Sequence, residues 1–255
     1  MTLNWNAPQK PAEMAESRLI TAILDGHFPI GETLPPEREL ARQLGVTRPT
    51  LRETLQRMAR DGWIKIQHGR STRVRNYWRE GNLGVLGGIA RFPQHAPDDF
   101  VPNLLTVRLL MAPSYCRAAV ETNPGPTGAL VRQVADLVAD IDAGPASFAR
   151  ADWKLHHEMT VLSGNPIFTL ILNGFERLYA QMAIVYFDLA QARDHSRAFY
   201  ASLLQAAEDA DPLLVEELTR QTMAESCHLW REAAGGRRFS ELELANDAAS
   251  WAAGD

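Results

Sequence analysis

Apolar residues recur at helical spacing along most of this chain. Leu51, Leu55, Met58 and Ala59 form one face of a segment whose spacing predicts a helix over 47–60. Ile20, Ile23 and Leu24 do the same for a helix over 11–25, which Gly26 ends. Between them a short helix is predicted over 37–44, with Gly45 and Val46 as the turn that follows. The period then changes. Residues 63–66 and 72–75 read as two strands joined by Gln67-His68-Gly69-Arg70-Ser71, a hairpin with a Gly-containing loop. Helical periodicity returns at 83–92, interrupted by Gly84, Gly87 and Gly88 just after Gly81. Those glycines have two open readings, close packing or flexibility. From residue 101 onward six helices are predicted, over 101–120, 128–143, 146–162, 166–189, 193–210 and 212–234. They are separated by Asn123-Pro124-Gly125-Pro126, Gly144-Pro145, Gly164-Asn165-Pro166 and Asp211-Pro212.

The fold class expected is mainly α: an N-terminal winged helix-turn-helix domain and a C-terminal all-helical bundle. The domain boundaries expected are 1–75 for the first, 76–92 for a linker and connecting helix, 93–236 for the second and 237–255 for a tail. Tyr77 and Trp78 are aromatic residues within the linker and are expected to dock the two domains on each other.

The helix over 47–60 has a well-marked start. The Thr47 hydroxyl can accept from a backbone N–H that has no helical partner. Pro49 falls in the first turn, where its missing N–H costs nothing. Arg48 and Arg52 lie four apart on a face away from the apolar one, with Thr50 near the N-terminal end. A helix with an apolar back and an N-terminal front of Arg and Thr suits the major groove, where arginine reads guanine bidentately. The hairpin loop adds His68 and Arg70, placed to follow phosphates or enter a minor groove.

Charge sharpens this picture. Of 26 basic and 31 acidic residues, 13 and 9 lie in residues 1–80, a net of +4; the remaining 13 and 22 give the rest of the chain −9. A basic segment fused to an acidic body implies that one end meets nucleic acid. With 255 residues, 45% of them hydrophobic, the chain can bury two cores. It shows no run long enough to span a membrane and no signal-peptide pattern in residues 1–10, so a cytoplasmic protein with no membrane partner is expected. The two cysteines, Cys116 and Cys227, are expected as reduced thiols. No Ser-His-Asp or Cys-His set and no Gly-rich phosphate loop is evident, so an enzyme is not expected and neither is a cofactor.

The run PERELARQLGVTRPTLRETLQRMARDGWIKIQHGR, residues 36–70, resembles the GntR family of bacterial transcription regulators, most closely its fatty-acid-responsive branch. The resemblance implies that Arg38, Thr47, Arg48, Thr50, Arg52, His68, Gly69 and Arg70 contact DNA. Arg48 and Arg52 would read bases, and Arg38, Thr47 and Thr50 would fix the helix on phosphates. It also implies a homodimer on a palindromic operator. Farther on, NLLTVR at 103–108, SGNPIFTLILNG at 163–174, LYAQ at 178–181 and YF at 186–187 are similar to the effector domain of that branch. The similarity implies a long-chain fatty acyl-CoA as effector, with Arg108, Tyr179, Met223, Ser226 and Trp230 at its site and release from DNA as the outcome. Met223 stands where that branch has a Gly.

Many GntR regulators instead hold a metal through an Asp and three His, and sense an organic acid. Asp152 and His156, four apart on one helix face, match the first pair of that set. The other two positions fall near Tyr200 and near Thr222 or Met223, none of them His. The expectation is therefore no metal, with an organic-acid sensor, metal-assisted, as the alternative.

Overall fold

A computed structural model describes residues 10–67, 69, 71–92, 95–140, 143–235 and 241. The chain divides into two compact units, residues 1–95 and 96–255. The expectations for His68 and Arg70, and for the tail 237–255 apart from Glu241, lie outside the described residues.

The first unit opens with three helices, α1 (Pro11–Leu24), α2 (Glu37–Leu44) and α3 (Arg48–Asp61). Leu19, Ile20, Leu40, Leu51, Leu55 and Met58 are buried together as its core. Thr54, also buried, ties α3 to α1: its hydroxyl donates to the Ala12 carbonyl at 3.2 Å and to its own helix at Thr50 O, 3.1 Å. Gly45 ends α2 with φ +71°, a left-handed turn that glycine takes without steric cost. The wing follows as β1 (Ile64–Lys65) and β2 (Arg73–Val74), antiparallel with Ile64 opposite Val74 and Lys65 opposite Arg73. Both strands are shorter than the four residues each that the sequence suggests. Thr33 bridges Arg73 from the other side.

Two short helices complete this unit, α4 (Tyr77–Glu80) and α5 (Leu83–Ala90). Tyr77, expected to dock the two domains on each other, stacks on buried Trp63 within the first unit, with ring centroids 4.8 Å apart. Close packing accounts for some of the glycines of this stretch. A Cβ on Gly88 would meet the Trp63 ring at 2.6 Å, whereas one on Gly87 would meet nothing within 4 Å.

The second unit is an all-helical bundle of α6 (Phe100–Thr122), α7 (Pro124–Leu137), α8 (Pro145–Leu162), α9 (Pro166–Asn173), α10 (Glu176–Asp188), α11 (Ala190–Glu208) and α12 (Pro212–Ala233). Four of these start at the proline that follows a break (Pro124, Pro145, Pro166 and Pro212), the position where its fixed φ is already helical. The single helix expected over 166–189 is two. Gly174 and Phe175 separate α9 from α10, and with no Cβ on Gly174 the chain loses little by breaking there. α6 lies along α12, and α8 packs against α6, α7, α9 and α10. Among the described residues no helix is long and apolar enough to cross a membrane.

Candidate nucleic-acid face and ligand pocket

On the first unit the start of α3 is built as its sequence suggests. Thr47 caps it, its Oγ accepting from the Thr50 backbone N–H at 3.3 Å and sharing a 2.8 Å hydrogen bond with the Thr50 hydroxyl. Arg48 and Arg52 stand out from the exposed side, 57% and 59% exposed. They are not independent of α2. Glu37, at the first turn of α2, accepts from Arg52 Nε at 2.8 Å, and its Oε2 lies 4.0 Å from Arg48. Arg38 is exposed beside it, and Gly69 sits in the hairpin loop with φ +72°. Arg38, Thr47, Arg48, Thr50 and Arg52 therefore belong to two helices joined by one tight turn. Nothing in the spacing of the sequence links Glu37 to these arginines; the turn between α2 and α3 brings it to them.

The second unit contains a cleft that is partly open to solvent. Its walls are apolar, formed by Leu104 and Met111 of α6, Leu172, Phe175 beside the break, Met182 of α10 and Trp230 of α12. Its lining suits the apolar portion of a ligand. Arg108, Tyr179, Ser226 and Trp230 all line it. Met223 is buried in α12 but is not part of the lining. Ser226 donates to the Thr222 carbonyl at 2.8 Å and accepts from the Tyr186 hydroxyl at 3.2 Å. The Tyr186 hydroxyl is raised to about 12 by burial, so it is a neutral donor.

One end of the cleft is polar and organised around Asp152 of α8. Arg108, from α6, donates to Asp152 Oδ2 at 2.6 Å, and the Tyr179 hydroxyl of α10 donates to the same oxygen. The Tyr200 hydroxyl of α11 donates to Oδ1 at 3.0 Å. Burial by itself would push the Asp152 carboxyl up. The Arg108 guanidinium, His156 and the donated hydrogen bonds outweigh it and hold the carboxyl well below the usual carboxylate range. Burial, and then the nearby Arg108 charge, lower the His156 imidazole from its ordinary value, so the ring is neutral at neutral pH. Its Nδ1 shares a 2.7 Å hydrogen bond with the Tyr115 hydroxyl. Its Nε2 lies 3.6 Å from Asp152 Oδ1 and has no hydrogen-bond partner among the described residues.

Asp152 and His156 do sit together on one helix face, yet the donor set does not suit a metal. The Arg108 guanidinium sits where a cation would meet Asp152, and Tyr200 supplies a hydroxyl where the metal-binding pattern has a His. Among the described residues no three His, Cys, Asp or Glu come together as a possible ligand group. Tyr115 and Tyr200 are functional candidates that periodicity alone does not separate from ordinary core; both are fully buried aromatic residues on helical faces.

A winged helix-turn-helix unit followed by a helical unit with an internal cleft defines a two-part regulatory protein. The chain belongs to the GntR family of bacterial regulatory proteins: that family's pattern matches residues 11–74, and the FadR C-terminal domain matches residues 75–236. It is 40% identical over 225 residues to the fatty acid metabolism regulator protein of Shewanella frigidimarina, covering 87% of this chain and 91% of that one. It is 39% identical over 228 residues to the protein of the same description from Edwardsiella ictaluri, covering 89% and 94%. Among solved structures it resembles Lar, which controls the expression of the Listeria monocytogenes agr system, with a TM-score of 0.60 at 14% identity over 88% of this chain and 98% of that one. At that identity the likeness is one of fold. These relatives are regulators, and the family is not one of enzymes.

Proposed function

We propose that this chain is a DNA-binding regulator of fatty acid metabolism that works in the cytoplasm as a homodimer, holds a palindromic operator with two winged units, and releases it on binding a long-chain fatty acyl-CoA. The observation that carries the effector reading is the convergence of Arg108, Tyr179, Ser226 and Trp230 on one apolar cleft. The acyl chain lies along the Leu, Met and Phe side chains, whose burial favours it by roughly 25 cal/mol per Å² of apolar surface. At the polar end the Arg108 guanidinium, which has more N–H groups than its bond to Asp152 uses, meets the thioester end through hydrogen bonds. Release from DNA requires that the acyl-CoA bind the DNA-free arrangement more tightly than the DNA-bound one.

On the DNA side, Arg48 and Arg52 read base edges while Arg38, Thr47 and Thr50 hold phosphates, with His68, Gly69 and Arg70 on the wing. Two copies of the unit read the two halves of the operator. The names of the relatives support the metabolic assignment.

A second reading, a sensor of a small organic acid held with a metal, draws on the Asp152–His156 pair. The ion pair from Arg108 to Asp152 weighs against it. Isothermal titration of the purified protein with oleoyl-CoA, and separately with citrate in the presence of zinc, separates the two. Saturable binding of oleoyl-CoA alone is expected; binding of citrate and zinc alone would overturn the acyl-CoA assignment.

A further inference from the structure

The outward face of the wing carries a row of side chains that the recognition helix does not account for. Lys65 of β1 stands directly opposite Arg73 of β2, and Thr33 bridges Arg73 on its far side. Register partners point to the same face of a sheet, and here the partners alternate with the buried Ile64–Val74 pair. All three residues of the row are exposed. Among the described residues neither Lys65 nor Arg73 forms an ion pair, although Arg75, two residues on, is paired with Glu80 at 3.3 Å.

Two like charges directly opposite each other across a ladder repel. An anion laid across them removes that repulsion, and the Thr33 hydroxyl beside them adds a neutral donor. From this juxtaposition we infer that the row Thr33, Arg73 and Lys65 is a phosphate-binding surface that grips the backbone of duplex DNA alongside the segment read by α3. The inference rests on the DNA-binding reading above. The row touches phosphates and no base edges, so it adds affinity without sequence preference. It also gives the wing a grip on DNA that does not depend on the hairpin loop.

The test uses the full-length protein and an operator that the protein itself selects from random-sequence duplex DNA. Fluorescence anisotropy then gives the affinity of the wild type and of Lys65→Ala/Arg73→Ala over a range of salt concentrations, on that operator and on random duplex. Each lost phosphate contact reduces the slope of log affinity against log salt by about 0.9, so the double variant should lose about 2. The loss should be equal on both duplexes, leaving their affinity ratio unchanged, whereas Arg52→Ala should lower that ratio. Both replaced side chains are exposed and outside the core, and circular dichroism checks that the fold is kept. Wild-type binding with an unchanged slope in the double variant would overturn this inference alone, leaving the two cations as charges that keep a sheet edge soluble. A wild type that binds no duplex would overturn the DNA-binding reading and this inference with it.

Discussion

Arg108 and Asp152 meet at 2.6 Å within the helical unit, where the Asp152 side chain is 6% exposed and that of Arg108 20%. A pair so buried costs much to form and more to break, because removing one partner strands the other charge away from water. Asp152 also holds the hydroxyls of Tyr179 and Tyr200, so α6, α8, α10 and α11 all meet at one carboxylate. Asp152→Ala should lower the stability of the helical unit by about 3–5 kcal/mol. The double variant Arg108→Met/Asp152→Ala should lose less than Asp152→Ala alone, since it leaves no buried guanidinium unpaired. Urea denaturation of the wild type, Asp152→Ala, Arg108→Met and the double variant, arranged as a double-mutant cycle, checks the order.

Acid should loosen this same cluster. The unfolded chain takes up a proton at His156 near pH 6.5, but the buried imidazole resists it until the pH is lower. Below 6.5 the unfolded chain therefore binds more protons than the folded one, and stability falls as the pH falls. The lowered Asp152 carboxyl acts in the same sense below its ordinary value of 3.8. Melting temperature should accordingly drop on acidification from neutrality, and His156→Gln should flatten the first part of that drop. A variant with an undiminished slope would show that other groups govern it.

Glu37 is expected to act on DNA selectivity through the arginines. By holding Arg52 Nε at 2.8 Å it leaves the guanidinium's outer edge free and oriented. Glu37→Ala removes both the hold and a carboxylate that repels phosphates. Affinity for random duplex should rise, while the ratio of operator to random binding should fall roughly fivefold, the low end of one bidentate base contact. Anisotropy titrations on both duplexes read the two effects separately.

Two of the three glycines of α5, Gly87 and Gly88, should respond in opposite ways to the same substitution. Gly88→Ala forces a methyl against the ring of buried Trp63 and should destabilise the first unit by about 1–3 kcal/mol. Gly87→Ala enters open space and should stabilise the helix by roughly 0.5–1 kcal/mol. Thermal unfolding of the two variants gives the comparison.

How much of this was legible depended on whether the controlling interaction was local. The cap at Thr47, the turn at Gly45 and the proline starts of the bundle helices are set by residues a few positions apart, and sequence pattern places them to within a few residues. Asp152 and His156 are four apart, so their shared face was legible too. What spacing does not reveal is that Arg108, 44 residues earlier, reaches the same carboxylate, or that Tyr200, 48 residues later, binds its other oxygen. These contacts come from helix packing, and they change the pair from a candidate metal site into the anchor of a hydrogen-bond network. The break at Gly174 was missed because an isolated glycine is tolerated within a helix, and apolar residues continue on both sides of it. The contact of Tyr77 with Trp63, fourteen residues earlier, likewise comes from packing and not from spacing.

The central claim joins the two units: an acyl-CoA in the helical cleft releases the winged unit from DNA. It is tested most directly by fluorescence anisotropy of the protein on its selected operator at fixed salt, titrated with oleoyl-CoA, because phosphate contacts make affinity salt-dependent. The expected result is tight binding that oleoyl-CoA abolishes in the wild type and abolishes only at much higher concentration in Trp230→Ala. Tight binding that oleoyl-CoA leaves unchanged in the wild type would contradict the account.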